Sequence, residues 1–382
     1  MLGNVAIRRA RLAAMQARSA GSASSEAALL IREVTLHPVR EPASGRRYTI
    51  LRLRTQSGLT GYGECSGAGG AELELARRVV AGSPATAYEV LARGLEGSVD
   101  LAGALNMALL DIVGKAAGAP VHQILGGPTR FKVRVMTPLA GDSDSALLAS
   151  LKRAMDGGYR AFVAPVPPAP SRNQGQAWVF ALRKRLEALR EAGGGNADFV
   201  LGGGGALSPG DSAVAAAEME KFHLLWFDEP CALSSLSAVK KISAESVTPV
   251  GFGKTIRSAA VFQDLLREDA IDVIRPDVSA CGITGIRRMA ALAETYYVAV
   301  APHHDGGPVA TAAALHLAAS LPNFYIQQIP QPEAEEDRRM RMEMAGGAIE
   351  IARDGFVPVP AGPGLGISLS EAVLEKYRGG EA

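Results

Sequence analysis

Residues 224–254 read LLWFDEPCALSSLSAVKKISAESVTPVGFGK. An apolar run (Leu224–Phe227) meets a polar turn at Asp228-Glu229-Pro230. A helical stretch follows, then a second apolar run (Thr248–Gly253) that ends at Lys254. Between Lys132 and Ile329 this unit of apolar run, turn and amphipathic helix occurs eight times. The other runs are Val133–Pro138, Ala161–Val166, Phe199–Gly203, Ile271–Ile274, Val298–Ala301 and Phe324–Gln327. Strict alternation of β and α with short connections means a parallel sheet, and eight units favour a closed barrel over an open sheet. In such a barrel the turns after the strands share one rim, where barrel enzymes carry their chemistry. Asp228, Glu229, Lys254, Asp277 and His303 all fall in those turns.

The segment before the barrel has a different texture. LIREVTLHPV is a strand candidate, Tyr48–Thr55 alternates, and Ser57-Gly58 turns the chain into Leu59–Gly63 as a hairpin partner. Helical patterns follow at Glu72–Val80, Ala85–Leu95 and Leu101–Ala117, the last closed by Gly118 and Pro120. The expected division is an extension over 1–28, an α+β cap over 29–127, the barrel over 128–330, and a return over 331–382 that packs on the cap. Gly355–Gly366 is too rich in Gly and Pro for a helix.

Composition bounds the partners. The chain has 382 residues, is 47% hydrophobic and only 5% aromatic, so its core is aliphatic. Forty basic residues against 39 acidic ones leave a net charge of +1, with no electrostatic footprint for nucleic acid or an anionic membrane. No apolar run has membrane-spanning length. Cys65, Cys231 and Cys281 form no CxxC pair, and an odd count argues against a disulfide framework. A reducing, cytoplasmic setting is the expectation. Arg8-Arg9 ahead of Leu12-Ala13-Ala14 resembles a twin-arginine export signal only faintly, because Gln16 and Arg18 interrupt its apolar region.

Ala108-Leu109-Leu110-Asp111-Ile112-Val113-Gly114-Lys115, with Gly118, Pro120 and Ile124-Leu125-Gly126-Gly127, carries a family resemblance. It resembles the cap–barrel junction of the enolase superfamily, in its mandelate racemase and muconate lactonizing branch. TQSGLTGYGE (55–64), Asp277-Val278 with Gly282-Ile283-Thr284, and Gly362–Gly366 are similar to further segments of that branch. The resemblance implies an α/β fold: a (β/α)7–8 TIM-like barrel behind an N-terminal α+β capping domain. It also implies removal of a proton next to a carboxylate, in an acid-sugar dehydratase or racemase-type reaction, and a homo-oligomer. The enediolate formed needs concentrated positive charge, which the family takes from Mg²⁺ held by carboxylates at strands three, four and five.

This sequence departs from that pattern. The family's Lys-x-Lys on strand two aligns with Val163-Ala164-Pro165, and the strand-three acid with Gly202. Asp228 keeps the strand-four acid, with Glu229 adjacent, but Lys254 replaces the strand-five acid. Cation against cation is unfavourable in a low-dielectric rim, so no cofactor is expected and Gly202, Asp228 and Lys254 are remnant positions. Asp277 and His303 match the family's dyad, in which the carboxylate would raise the basicity of the imidazole. Gln327-Gln328 stands where the family often has Gln-Glu. As an enzyme, the chain would use His303 as base, Asp277 as orienter, Lys254 as carboxylate anchor and Gln328 as donor, with His304 and Gln327 also meeting a small carboxylate or sugar acid. The alternative is a pseudoenzyme that binds a carboxylate or serves assembly. His122, His223 and His316 read as structural. A soft-metal site using His303 and the cysteines has no support from spacing, and Gly202–Gly205 lacks the Lys-Ser or Lys-Thr of a phosphate loop.

Overall fold

A computed structural model of the chain describes residues 27–95, 101–171, 174–234 and 236–379. The extension expected over 1–28 lies almost wholly outside them. The cap begins with an antiparallel sheet of β1 (Ile31–Arg40), β2 (Arg47–Thr55) and β3 (Thr60–Cys65). In β2 the expected alternation holds for the apolar side, with Leu51 and Leu53 buried. Arg52, on the opposite side of the strand, is buried too and pairs with Glu33 at 2.6 Å. Four helices follow: α1 (Gly70–Val80), α2 (Tyr88–Arg93), α3 (Leu101–Ala117) and α4 (Val121–Ile124). Helix α3 lies between the sheet and the barrel, so it is apolar nearly all round. Gly63 lets β3 touch it, since a Cβ there would sit 1.8 Å from the Ala104 carbonyl oxygen.

The barrel strands are β4 (Lys132–Pro138), β5 (Ala161–Pro165), β6 (Asp198–Gly202), β7 (Phe227–Asp228), β8 (Val250–Phe252), β9 (Val273–Ile274), β10 (Ala299–Val300) and β11 (Gln327–Gln328). They pair in parallel in chain order, and β11 pairs with β4. A parallel bridge from Val300 to Phe324 and a bond from Gln328 N to Pro302 O (3.0 Å) tie the last strand to β10, so the ring closes. The regular ladders are shorter than the apolar runs. Trp226, for example, lies before β7 yet still accepts from Leu201 N at 3.1 Å. Between the strands run α5 (Asp144–Asp156), α6 (Gly175–Gly193), α7 (Pro209–Met219), α8 (Leu236–Ala244), α9 (Ala259–Arg267), α10 (Val278–Glu294) and α11 (Pro308–Ala318). Among the described residues no helix is long and apolar enough to cross a membrane.

Met136, Ala161, Val163, Val200, Trp226, Val273, Ala301 and Ile326 fill the barrel interior as one cluster. A larger cluster joins the outer strand faces to the helices. The cap is fastened to the barrel through α3. A Cβ on Gly103 would lie 1.9 Å from Ser279 O, and Asn106 holds Thr284 by two hydrogen bonds of 2.8 and 3.1 Å.

The return contains α12 (Glu335–Ala345), β12 (Phe356–Pro358) and α13 (Glu371–Lys376). Gly355–Gly366 is not helical, but it holds a strand that the sequence reading omitted: β12 pairs antiparallel with β4. The return then meets the cap, where Leu365 N donates to Asp111 Oδ1 (2.8 Å) and Tyr62 Oη to Leu369 O (3.0 Å).

Candidate functional site

Asp228 ends β7 with no exposed surface. Its ladder partners are Gly202 on β6 and Gly251 on β8, and Gly202 pairs with Pro165 on β5. The strand-two and strand-three positions therefore offer no ligating side chain. Lys254 Nζ lies 2.8 Å from Asp228 Oδ2. The opposite oxygen, Oδ1, accepts from Trp226 Nε1 at 2.9 Å and from Arg275 Nε at 2.7 Å. Arg275 also donates from Nη2 to Gln328 Oε1 (2.5 Å) and from Nη1 to Ala301 O, and it lies over the Trp226 ring at 5.1 Å.

Arg275 was not among the residues singled out from sequence. Its signal was a lone cation directly after the apolar Val273-Ile274, in DVIRPD (272–277). Its partner Asp228 is 47 positions away. Burial works to raise the Asp228 pKa, but Arg275 and then Lys254 outweigh it and hold the carboxyl well below the usual range.

Glu229 takes a left-handed backbone (φ 45°), and its carboxylate accepts from the amides of Gly253 (2.7 Å) and Lys254 (2.8 Å). It thus fixes the turn that presents Lys254. Burial pushes the pKa of Glu229 up despite those amides. The glycine run has a local cause as well. A Cβ on Gly203 would meet Glu229 O at 2.6 Å, while Gly204 and Gly205 have φ of 61° and 72°. The amides of Gly203 and Gly205 are spent on Asp228 O and Glu229 O, so the run makes no anion cradle.

These residues do not fit Mg²⁺. A divalent ion of this kind needs near-octahedral oxygen ligands. The one carboxylate at the centre is saturated by Lys254, Arg275 and Trp226, Glu229 is turned onto backbone amides, and Gly202 supplies nothing.

Asp277 and His303 do come together, as parallel bridge partners with Oδ2 and Nε2 3.4 Å apart. That separation is long for a hydrogen bond. Asp277 Oδ1 caps α10 by accepting from Ala280 N at 2.7 Å. The expected rise in basicity is reversed. Burial, then Lys254 and Arg275, push the His303 pKa well below its ordinary value, so the ring is neutral. Neither ring nitrogen has a hydrogen-bond partner among the described residues.

Two expected site residues are not brought to this group. His304 is fully buried, with Nε2 3.3 Å from Thr311 Oγ1. It belongs to a separate network in which Arg341 pairs with Glu41 (2.6 Å) and Glu350 (2.7 Å). Gln327 is also fully buried and donates to Gln328 O at 2.8 Å. Gln328 keeps its Nε2 to donate, because Arg275 engages its oxygen. The cysteines lie apart: Cys65 Sγ donates to Thr49 O in the cap, and Cys281 Sγ to Ile256 O. His122 and His316 form a buried stacked pair with ring centroids 5.1 Å apart, whereas His223 ends a short 3-10 turn in the left-handed region.

Comparison with known proteins places this site in context. Residues 25–126 match the mandelate racemase / muconate lactonizing enzyme N-terminal domain, and residues 146–373 match the enolase C-terminal domain-like family. The chain is 30% identical over 345 residues to a D-galactonate dehydratase of Pectobacterium atrosepticum, covering 86% of this chain and 90% of that one. It is 28% identical over 344 residues to a D-galactonate dehydratase of Ralstonia pickettii, with 86% and 90% covered. Among solved structures, a mandelate racemase/muconate lactonizing enzyme-like protein from Rubrobacter xylanophilus superposes with a TM-score of 0.82 at 25% identity, covering 92% of this chain and 98% of that one. The shared cap, the closed barrel and the matches over both halves lead to one assignment: this chain belongs to the mandelate racemase/muconate lactonizing enzyme branch of the enolase superfamily.

Proposed function

We propose that the barrel mouth binds the carboxylate of a small sugar acid or hydroxy acid without a divalent ion, and that it does so without turnover. The observation that carries this reading is the saturation of Asp228 by Lys254, Arg275 and Trp226. Asp228, Lys254 and Arg275 together carry one net positive charge (−1 +1 +1), with Glu229 counted apart because its carboxylate is turned onto the Gly253 and Lys254 amides. A ligand carboxylate cancels it, whereas an enediolate with two negative charges would leave an excess in a buried site. Lys254 spends one of its three N–H donors on Asp228, and its side chain is 27% exposed. Gln328 Nε2 and the neutral His303 ring supply further polar contacts. The D-galactonate dehydratases among the relatives support a sugar acid as the ligand class.

A second reading is metal-independent dehydration or racemisation, with His303 as base, Asp277 its orienter, Lys254 the anchor and Gln328 a donor. The 3.4 Å approach of Asp277 to an imidazole without hydrogen-bond partners favours it. The depressed basicity of His303 weighs against it, and so do the residues around Asp228, whose carboxylate is taken up by Lys254, Arg275 and Trp226.

Calorimetric titration with D-galactonate and a panel of aldonic and hydroxy acids, in EDTA and in Mg²⁺, tests the first reading. The expected outcome is binding that is equal in both buffers and weakened by Lys254→Met, with no 2-keto acid formed. Binding that requires Mg²⁺ would overturn it. Turnover that disappears in His303→Asn would establish the second reading instead.

A further inference from the structure

A second cleft, of about 510 Å³, opens where the cap meets the barrel wall. Its walls come from α2 and α3 on one side and from α9 and α10 on the other. The floor is held by hydrogen bonds between the cap and the barrel. Helix α10 breaks at Gly282 (φ 66°, ψ 175°), and Asn106 Oδ1 takes the Thr284 amide beside that break at 3.1 Å. Asn106 and Thr284 are both buried and satisfy each other.

Three arginines line the cleft: Arg93 from α2, Arg257 from the turn before α9, and Arg288 from α10. Arg288 Nη1 pairs with Glu89 at 2.6 Å. Arg257 Nη1 donates to the Lys254 carbonyl at 2.6 Å, a neutral partner. Arg93 has neither an ion pair nor a hydrogen bond among the described residues. Among the described residues, three cations against one carboxylate leave an excess of two positive charges (+3 −1) at the cleft. The N-terminus of α9, capped by Ser258 accepting from Ala260 N at 3.2 Å, opens on the same cleft and adds partial positive charge.

An excess of two charges matches a dianion better than a single carboxylate. Planar guanidinium forks present paired N–H donors that suit phosphate oxygens. The volume suits a small organic molecule. We infer that this seam cleft binds a small phosphate monoester, its phosphoryl group held by Arg93 and Arg257 beside Arg288. This cleft lies outside the barrel mouth and meets it where Arg257 donates to the Lys254 backbone carbonyl, a bond that does not involve the Lys254 ammonium.

The test is calorimetric titration with inorganic phosphate and with glycerol phosphate, at an ionic strength held constant with chloride. Saturable binding is expected. It should weaken at least tenfold in Arg93→Gln and in Arg257→Gln, and stay unchanged in Lys254→Met. Arg93 is exposed, so its substitution leaves the fold intact. Absence of saturable binding overturns the inference. So does binding that Lys254→Met weakens and Arg93→Gln does not, because the phosphate would then occupy the barrel mouth. Carboxylate binding in the mouth is read through Lys254, so either proposal can fail without the other.

Discussion

Arg275 donates from Nε to Asp228 Oδ1 at 2.7 Å, and neither side chain has any exposed surface. Asp228 ends β7 and Arg275 follows β9, and Arg275 is the first of the cations that keep Asp228 ionised against burial. Removing one partner of such a pair leaves a buried charge uncompensated, at a cost of about 3–5 kcal/mol.

Asp228→Asn is therefore expected to destabilise the fold by roughly 3–5 kcal/mol. Lys254→Met should cost about 1 kcal/mol, because Lys254 is partly exposed and Arg275 still neutralises Asp228. Urea unfolding of both variants checks this. Equal losses would mean that Arg275 is not the main partner of Asp228.

Restoring the family's acids should not by itself restore metal binding. In a Gly202→Asp, Lys254→Glu double variant, Arg275 and Trp226 still occupy Asp228 Oδ1. A Cβ at Gly202 also requires Val163, 3.0 Å away, to yield. Mg²⁺ binding by equilibrium dialysis is expected only after Arg275→Gln is added. Binding by the double variant alone would show that the arginine is no obstacle.

The ring resonances of His303, followed by NMR, should titrate well below the ordinary histidine range. Burial sets the direction, and Lys254 and Arg275 reinforce it. Lys254→Met removes one cation and frees Asp228 to act on the ring, so the His303 pKa should rise in that variant. A midpoint near the ordinary histidine value in the unaltered protein would contradict the reading of the site.

Glu64 gives stability a pH dependence of its own. It is fully buried, and burial pushes its pKa up to about 7, against the opposing effects of the Gly307 amide, Arg341 and the Ala310 amide. Tyr48, Glu41 and Glu350 also act in that region. A carboxyl whose folded pKa is raised contributes stability that is complete below its unfolded value and lost as pH rises through about 7. The loss is on the order of 3 kcal/mol, at roughly 1.4 kcal/mol for each pH unit that separates the folded from the unfolded value. Glu64→Gln should flatten the decline in chemical-denaturation stability between pH 5 and 8. An unchanged slope would assign the dependence to another group.

The barrel was legible because each unit repeats one period change, from an apolar run to a helical face, and Asp228, Lys254, Asp277 and His303 each stand at the end of such a run. What could not be read depends on distances across the ring. Arg275 looks like an ordinary strand-end cation until its partner on another strand is known. The sign of the His303 shift follows from burial and then from two cations that closure brings near it, while the local sequence offers only Asp277. His304 and Gln327 adjoin site residues in sequence, but each neighbour along a strand or strand end points elsewhere. The pairing of β12 with β4 had no local signature, because three residues in a Gly- and Pro-rich stretch carry no period.

The contacts of α3 with the sixth barrel helix bear on how anything reaches the mouth. Gly103 brings the cap backbone against Ser279 O, and Asn106 is bonded twice to Thr284. A swing of the cap as a rigid door would tear both. Access to Lys254 therefore does not come from the whole cap swinging open: the doorframe stays bolted.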